Sequence, residues 1–225
     1  MRIAILYSGG KDSNLALYYL IKENYEIAFL LTVIPNKFDS WMFHRPNVEL
    51  AKVQAECLNL PWQYVNVSGE KDFELYELKT FLSSIRGIDG IATGVIASKY
   101  QKEKIEDLCK NLNLKPIFPL WGKSELLLLK EIVSLNFEVY FTSVSAEGIG
   151  KEWLGRRLDM ESINLLMRIR ERYGINISGE GGEYETFVCN SPLFKMRIKI
   201  LEAETIWKRN YGYWIIKKYI LLPKI

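Results

Sequence analysis

The sequence predicts an α/β fold: a parallel five-stranded sheet with helices on both faces over residues 1–122, then a smaller α+β domain over residues 123–225. Two observations lead to this prediction. In the first half, apolar runs of strand length alternate with helical patterns, as in sheets whose crossovers are helices. The last part of the chain instead alternates polar and apolar residues, which is typical of antiparallel strands.

The elements of the first half follow from these runs and from the turn residues between them. Ser98 is expected to cap the fourth helix, and Asp12 or Ser13 the first. We predict strands over residues 3–7, 27–34, 62–67, 91–95 and 115–118, and helices over residues 14–21, 47–58, 73–85 and 98–112.

The second half has fewer regular signals. A Leu-rich pattern predicts a helix, an apolar run predicts a strand, and a Gly-rich acidic stretch over residues 178–186 predicts a loop. The predicted helices cover residues 124–134 and 159–173, and the strands cover residues 137–144, 195–203 and 211–221.

Composition excludes several classes of protein. No apolar run approaches the roughly 20 residues that span a bilayer, and no secretory leader is apparent, so we expect a cytoplasmic protein without a membrane role. A net charge of +3 makes nucleic acid an unlikely partner. Three separated cysteines and the single His44 argue against a disulfide framework or a multi-histidine metal centre. Cys57 and Cys109 are expected to be buried small apolar residues.

The stretch Ser8-Gly9-Gly10-Lys11-Asp12-Ser13 lies between the first strand and the first helix. Adjacent glycines let backbone N–H groups converge on an anion at the positive end of a helix, which suits phosphate. The spacing fits neither a Walker A loop nor a dinucleotide-binding turn. It resembles the PP-loop of the ATP pyrophosphatase superfamily. The alternative is a tight turn with a solvated Lys11–Asp12 pair.

Three further segments are candidates for the same site. Residues 35–46 form a long loop after the second strand, and its aromatic residues and His44 either cover a nucleotide base or pack onto their own scaffold. After the fourth strand, Gly94 and the cap Ser98 suit a second anion or ribose contact, or only a well-formed turn. Residues 179–186 (GEGGEYET) place three carboxylates among three glycines, which suits Mg²⁺ or an amine, or an exposed acidic turn.

Together these motifs, with Met42-Phe43-His44, Ser98-Lys99-Tyr100-Gln101 and Pro119-Leu120-Trp121, resemble the diphthine-ammonia ligase (diphthamide synthase) family over essentially the whole chain. The resemblance implies a Rossmann-like sheet of the HUP type. It also implies an ATP-dependent carboxylate-ammonia ligase that forms AMP. Its substrates would be ATP, with Mg²⁺, free ammonium, and diphthine, a modified histidine on elongation factor 2.

The resemblance also implies roles for single residues. Lys11, Asp12, Glu183 and Glu185 would be catalytic, with Asp12 also holding Mg²⁺. The ATP-binding residues would be Ser8, Gly9, Gly10, Lys11, Asp12, Ser13 and Gly94. The substrate-binding residues would be His44, Ser98, Tyr100, Gln101, Gly181, Gly182 and Thr186.

Two other functions stay open. A tRNA-modifying member of the PP-loop superfamily would also adenylate its acceptor, although thiolation normally needs paired cysteines and tRNA a more basic face. A non-catalytic ATP sensor would need fewer groups suited to phosphate cleavage. The sequence leaves the oligomeric state open, including a homo-oligomer.

Overall fold

The computed structural model describes residues 1–36, 47–70 and 73–224, and they form two sheets. The first has five parallel strands, and the second has four antiparallel strands, which confirms the predicted fold class. The strands of the first sheet are β1 (Arg2–Leu6), β2 (Glu26–Pro35), β3 (Trp62–Val67), β4 (Gly90–Ala92) and β5 (Lys115–Ile117). Those of the second are β6 (Glu138–Val144), β7 (Tyr184–Asn190), β8 (Met196–Lys208) and β9 (Tyr211–Pro223).

Six α-helices within the described ranges connect these strands. They are α1 (Lys11–Lys22), α2 (Ala51–Leu58), α3 (Glu74–Ser84), α4 (Lys99–Leu112), α5 (Glu125–Ser134) and α6 (Met160–Tyr173). In the described ranges no helix has both the length and the apolar character needed to cross a bilayer.

The first sheet has the order β3-β2-β1-β4-β5. The chain moves outward from β1 through β2 to β3, then returns to the other side of β1 for β4 and β5. The strand order therefore reverses between β1 and β4, and open α/β sheets bind ligands beyond the carboxyl ends of the strands at such a point. The turn after β1 and the segment after β4 both leave the sheet there.

The start of α1 and the end of β4 differ from the prediction. Helix α1 begins at Lys11 with Gly10 as its N-cap and no side-chain cap, so the expected cap by Asp12 or Ser13 is wrong. Both residues lie in the first turn, where their side chains face the site instead. Strand β4 ends at Ala92, because Gly94 leaves the sheet to pack on the start of α1.

The second sheet has the order β7-β6-β9-β8. Strands β8 and β9 are longer than predicted and pair as a hairpin closed by Arg209 and Asn210. Strand β7 was not predicted, because its first residues lie within the stretch that we assigned to the acidic loop. It pairs antiparallel with β6.

One apolar core joins the two sheets. It contains Leu15 and Leu17 of α1 together with Phe137 and Phe187 of the second half, all nearly inaccessible to solvent. The opposite face of the first sheet packs in a second cluster against α3 and α4. Helix α1 therefore lies between the sheets, and the turn that precedes it is held from both halves. The domain boundary after residue 122 stays a prediction.

Candidate functional site

The turn between β1 and α1 is built so that its carbonyl groups face inward. The Gly9 carbonyl accepts from Asn14 Nδ2 at 3.2 Å, from Gln54 Nε2 at 2.9 Å and from the Val188 N–H at 3.2 Å. The Gly10 carbonyl accepts from Ser13 Oγ at 3.0 Å and Asn14 Nδ2 at 3.0 Å. Because these carbonyl oxygens are hydrogen-bonded within the protein, the outer side of the turn presents the N-terminal, positive end of α1.

Gly9 cannot be replaced in this arrangement. Its φ of +84° lies in the left-handed region, and a Cβ there would stand 2.5 Å from Gln54 Oε1. Gln54 is fully buried, and its amide nitrogen also donates to the Val188 carbonyl at 2.7 Å. The Gln54 side chain therefore fixes the turn to strand β7 of the second half.

Lys11 is buried, with only 4% of its side chain exposed. Its ammonium donates to Asp12 Oδ2 at 2.7 Å and to the Ser178 carbonyl, and it lies 5.3 Å from the centre of the Tyr184 ring. We expected the side chains of Lys11 and Asp12 to lie outside the core, and for Lys11 this is wrong. The ammonium joins the turn to the loop before β7, so its aliphatic stem is covered by both halves.

Asp12 lies at the floor of the site with 30% of its side chain exposed. Burial raises the pKa of its carboxyl, the Lys11 ammonium opposes this, and the Glu180 carboxylate adds to it. Asp12 is thus paired with the Lys11 ammonium, whereas Glu180 accepts hydrogen bonds from backbone N–H groups.

Residues 179–186, which we call the acidic glycine loop, end with the first three residues of β7. This loop faces the β1–α1 turn, as the sequence predicted. The Lys11 N–H donates to Thr186 Oγ1 at 3.0 Å, and an added Cβ on Gly10 would lie 3.3 Å from the Thr186 carbonyl. The loop and the turn are therefore in direct contact, and they form two walls of one cleft.

The three glutamates of this loop have different surroundings. Glu185 lines the cleft. Glu180 also lines it, and its two oxygens accept from the Ile96 and Ala97 N–H groups, both at 2.7 Å. Glu183 is not among the lining residues; its Oε1 accepts from the Asn176 N–H at 2.9 Å, and its Oε2 is buried without a hydrogen-bond partner.

The segment after β4 closes the third side of the cleft. Gly94 packs against the backbone of Asp12, and Ser98 caps α4 as predicted, accepting from the Gln101 N–H at 3.4 Å. Gln101 lines the cleft, whereas Tyr100 is 45% exposed and is not among the lining residues.

The cleft is half apolar. It is partly open to solvent. Polar groups come from the turn and the acidic glycine loop, whereas the apolar side comes from the ends of the strands and from α4. The apolar lining includes Leu6, Leu31, Val33, Val48, Val95 and Ile105.

Comparison with known proteins identifies the family. Residues 1–116 match the diphthamide synthase N-terminal domain, and residues 124–222 match the diphthamide synthase C-terminal domain. The chain belongs to the diphthamide synthase family. This confirms the resemblance read from the sequence.

Several relatives named diphthine–ammonia ligase match most of this chain. The diphthine–ammonia ligases of Rattus norvegicus and Homo sapiens are each 33% identical to this chain, over 92% of this chain and 85% of theirs. These relatives are named as ligases, the enzyme class predicted from the sequence. A solved structure described as a predicted subunit of tRNA methyltransferase from Methanocaldococcus jannaschii is 20% identical, covering 85% of this chain and 98% of that one, with a TM-score of 0.48.

Sequence reasoning missed part of the site of this diphthamide synthase family member. The buried Gln54, the tether made by Glu180 and the Ser178 carbonyl were not assigned, since each acts through a backbone group that is distant in sequence. The apolar lining at Leu31 and Val33 could have been found, because these residues alternate along β2 as it approaches the edge where ligands bind. His44 lies outside the described residues. Gly182 lines the cleft. Gly9, Ser98 and Gly181 are not among the residues that line it, and Gly181 is exposed to solvent.

The carboxylates of the cleft fit Mg²⁺ held mainly by phosphate. Across the described ranges no three His, Cys, Asp or Glu side chains converge to form a metal cage. Mg²⁺ at ATP sites commonly takes one or two carboxylates and completes its shell with phosphate oxygens and water. Asp12 is one of the carboxylates that line the cleft.

Proposed function

We propose that this protein uses ATP to amidate diphthine on elongation factor 2 with ammonia, by way of an acyl-adenylate, giving diphthamide, AMP and pyrophosphate. The observation that supports it most is a direct contact between the β1–α1 turn, here called the phosphate-type turn, and the acidic glycine loop. The Lys11 N–H of the turn donates a hydrogen bond to Thr186 Oγ1 of the loop. An acyl-adenylate has to be made and attacked in one place, and this cleft provides a nucleotide wall and an acceptor wall together.

ATP would lie with its phosphates on the turn and its base on the apolar side. Ser8, Gly10 and Ser13 would bind the β- and γ-phosphates, while Gly9 shapes the backbone beneath them. The apolar ends of the strands would hold adenine, and Gly94 would approach the ribose or the α-phosphate. Mg²⁺, held by Asp12, would neutralise charge on the departing pyrophosphate.

The first step would join the diphthine carboxylate to the α-phosphorus. A carboxylate oxygen attacks the α-phosphorus, the bond from that phosphorus to the bridging oxygen of the β-phosphate breaks, and pyrophosphate leaves with the electron pair. The Lys11 ammonium and the N–H groups at the start of α1 would stabilise the charge that develops on the leaving group.

The second step would convert the acyl-adenylate into the amide. The ammonia lone pair attacks the acyl carbon, the carbonyl re-forms, and AMP leaves with the electrons of its bond to that carbon. The new C–N bond requires loss of a proton from nitrogen. Glu185, a carboxylate that lines the cleft, would accept it or orient the ammonia.

The other residues predicted for the acceptor side would support this geometry. Gly182, Thr186 and Gln101 line the cleft and would contact the diphthine side chain. Glu183, bonded to the Asn176 N–H, would hold the shape of the loop rather than touch the substrate. Elongation factor 2 would be the protein partner and free ammonium the nitrogen donor, in the cytoplasm.

The test is a product analysis with purified protein. ATP, ammonium and elongation factor 2 carrying diphthine should together yield AMP, pyrophosphate and amidated elongation factor 2, and omission of the protein substrate should abolish AMP formation. ADP and phosphate as products, or adenylation of a tRNA in place of elongation factor 2, would overturn the proposal.

A further inference from the structure

Glu180 forms a tether across the cleft with both of its carboxylate oxygens. Oε1 accepts from the Ile96 N–H and Oε2 from the Ala97 N–H, each at 2.7 Å. Hydrogen bonds from N–H groups to a carboxylate are short and strong, and two parallel ones fix orientation as well as distance. The acidic glycine loop of the second half is therefore attached to the segment after β4 in the first half.

The position of this charge is unfavourable for nucleotide binding. Glu180 and Asp12 both line the same cleft as the phosphate-type turn. A second negative charge in a site for a polyanion weakens binding by repulsion. A neutral side chain there would bind ATP at least as well, so the carboxylate needs another explanation.

The tether completes a ring of contacts around the cleft. The loop touches the β1–α1 turn through Thr186 and Lys11 at one end, and reaches Ile96 and Ala97 through Glu180 at the other. The ring closes where Gly94 packs on the backbone of Asp12. Glu185 and Thr186 are the second and third residues of β7, where they pair with β6, and Glu180 holds the segment that leads into them.

We infer that Glu180 is a positioning residue for amidation, which holds the loop so that Glu185 and Thr186 meet the acyl carbon. This inference rests on the proposed function. It assigns Glu180 no contact with the reacting atoms. Its effect passes through the loop, and misplacement of a catalytic group by about 1 Å can cost about 10²-fold in rate.

Glu180→Gln is the decisive variant, with Glu171→Gln, an exposed carboxylate on α6, as the matched control. Glu180→Gln should lower kcat for amidation about 10- to 100-fold. The KM for ATP should stay equal or fall, because repulsion is removed. A general structural lesion would raise KM and lower the melting temperature together. Glu171→Gln should change neither constant.

A double-mutant cycle shows whether Glu180 acts through Glu185. If it does, adding Glu180→Gln to Glu185→Gln should lower the rate by much less than it does in the wild-type protein. Multiplicative effects of the two substitutions, or a normal kcat in Glu180→Gln, would refute the inference.

Amide hydrogen exchange tests the tether without any reaction. The Ile96 and Ala97 N–H groups should be protected in the wild-type protein and exchange faster in Glu180→Gln, with Glu171→Gln unchanged. Equal protection in all three proteins would overturn the inference even if amidation proceeds. Faster exchange in a protein that does not amidate would instead count against the proposed function alone.

Discussion

Gly94→Ala tests how closely the segment after β4 must approach the phosphate-type turn. A Cβ at Gly94 would lie 2.8 Å from the carbonyl carbon of Asp12, 2.9 Å from its oxygen and 3.0 Å from the Ser13 nitrogen. Ordinary contacts begin at 3.4 Å, so the two backbones must separate by about half an ångström. None of the three atoms belongs to a side chain that could rotate away.

The expected magnitude follows from this geometry. Forcing an extra methyl group into a packed site costs about 1–3 kcal/mol. If the segment relieves the clash by leaving the position that ATP requires, that free energy is lost from binding, a factor of about 5 to 150 in Kd. We therefore expect a measurable loss of ATP affinity together with a loss of stability.

Calorimetric titration with ATP and urea unfolding would measure the two losses. Gly174→Ala is the control, because Gly174 has a φ of +70° at the end of α6 and an added Cβ would meet no atom within 4 Å. It should lower stability by about 1 kcal/mol through backbone strain and leave ATP affinity unchanged. Gly94→Ala with normal ATP affinity would refute the close approach as a requirement for binding.

Three further predictions use the same assays. Lys11→Met, which keeps the buried stem but removes the ammonium, should lower ATP turnover by about 10² or more, and a variant with normal turnover would contradict the role of Lys11. Glu185→Gln should lower the rate of amidation about 10²-fold and leave ATP affinity within a few-fold of the wild-type value. Glu183→Ala should instead lower the free energy of unfolding by about 1–3 kcal/mol, because the Asn176 N–H loses its acceptor. Equal stability of the two variants would refute this distinction. Burial raises the pKa of Glu138, but hydrogen bonds from Arg197 and Tyr140 outweigh it and lower the pKa below 4.5. The stability that results from this lowered pKa is present above pH 4.5 and is lost as pH falls through the pKa of the folded protein. Glu138→Gln should therefore lower the free energy of unfolding by about 1–3 kcal/mol at pH 7 and by much less near pH 3. If urea unfolding gave the same difference in free energy at both pH values, the ion pair would be contradicted.

The sequence predicts best those elements whose ends are set by local chemistry. Strand Trp62–Val67 was predicted to the residue, because a proline precedes it and a Ser-Gly pair follows it. Ser98 and Asp159 cap α4 and α6 through hydrogen bonds to backbone N–H groups three residues later, a pattern that is visible in the sequence. The same local signals placed the phosphate-type turn at the right edge of the sheet.

Prediction failed where distant parts of the chain meet. Strand β7 begins at Tyr184, among glutamates and glycines that indicate a loop, and it is a strand because β6 pairs with it. Lys11 was expected to lie outside the core, since nothing local shows that the Ser178 carbonyl lies against its ammonium. Gln54 reads as an ordinary helical residue, and only the folded chain brings it to the Gly9 carbonyl. These contacts are set by tertiary structure, which local propensity does not encode.

The position of α1 between the two sheets limits how substrate can enter. Because both walls of the cleft are attached to the same apolar core, a hinge opening between the halves would expose side chains such as Leu15 and Phe187, which are almost completely inaccessible to solvent. We therefore expect the two walls of the cleft to keep their separation rather than to open by a hinge motion. Under the proposed function, the protein substrate would therefore present one modified side chain to the cleft rather than be enclosed between the two halves.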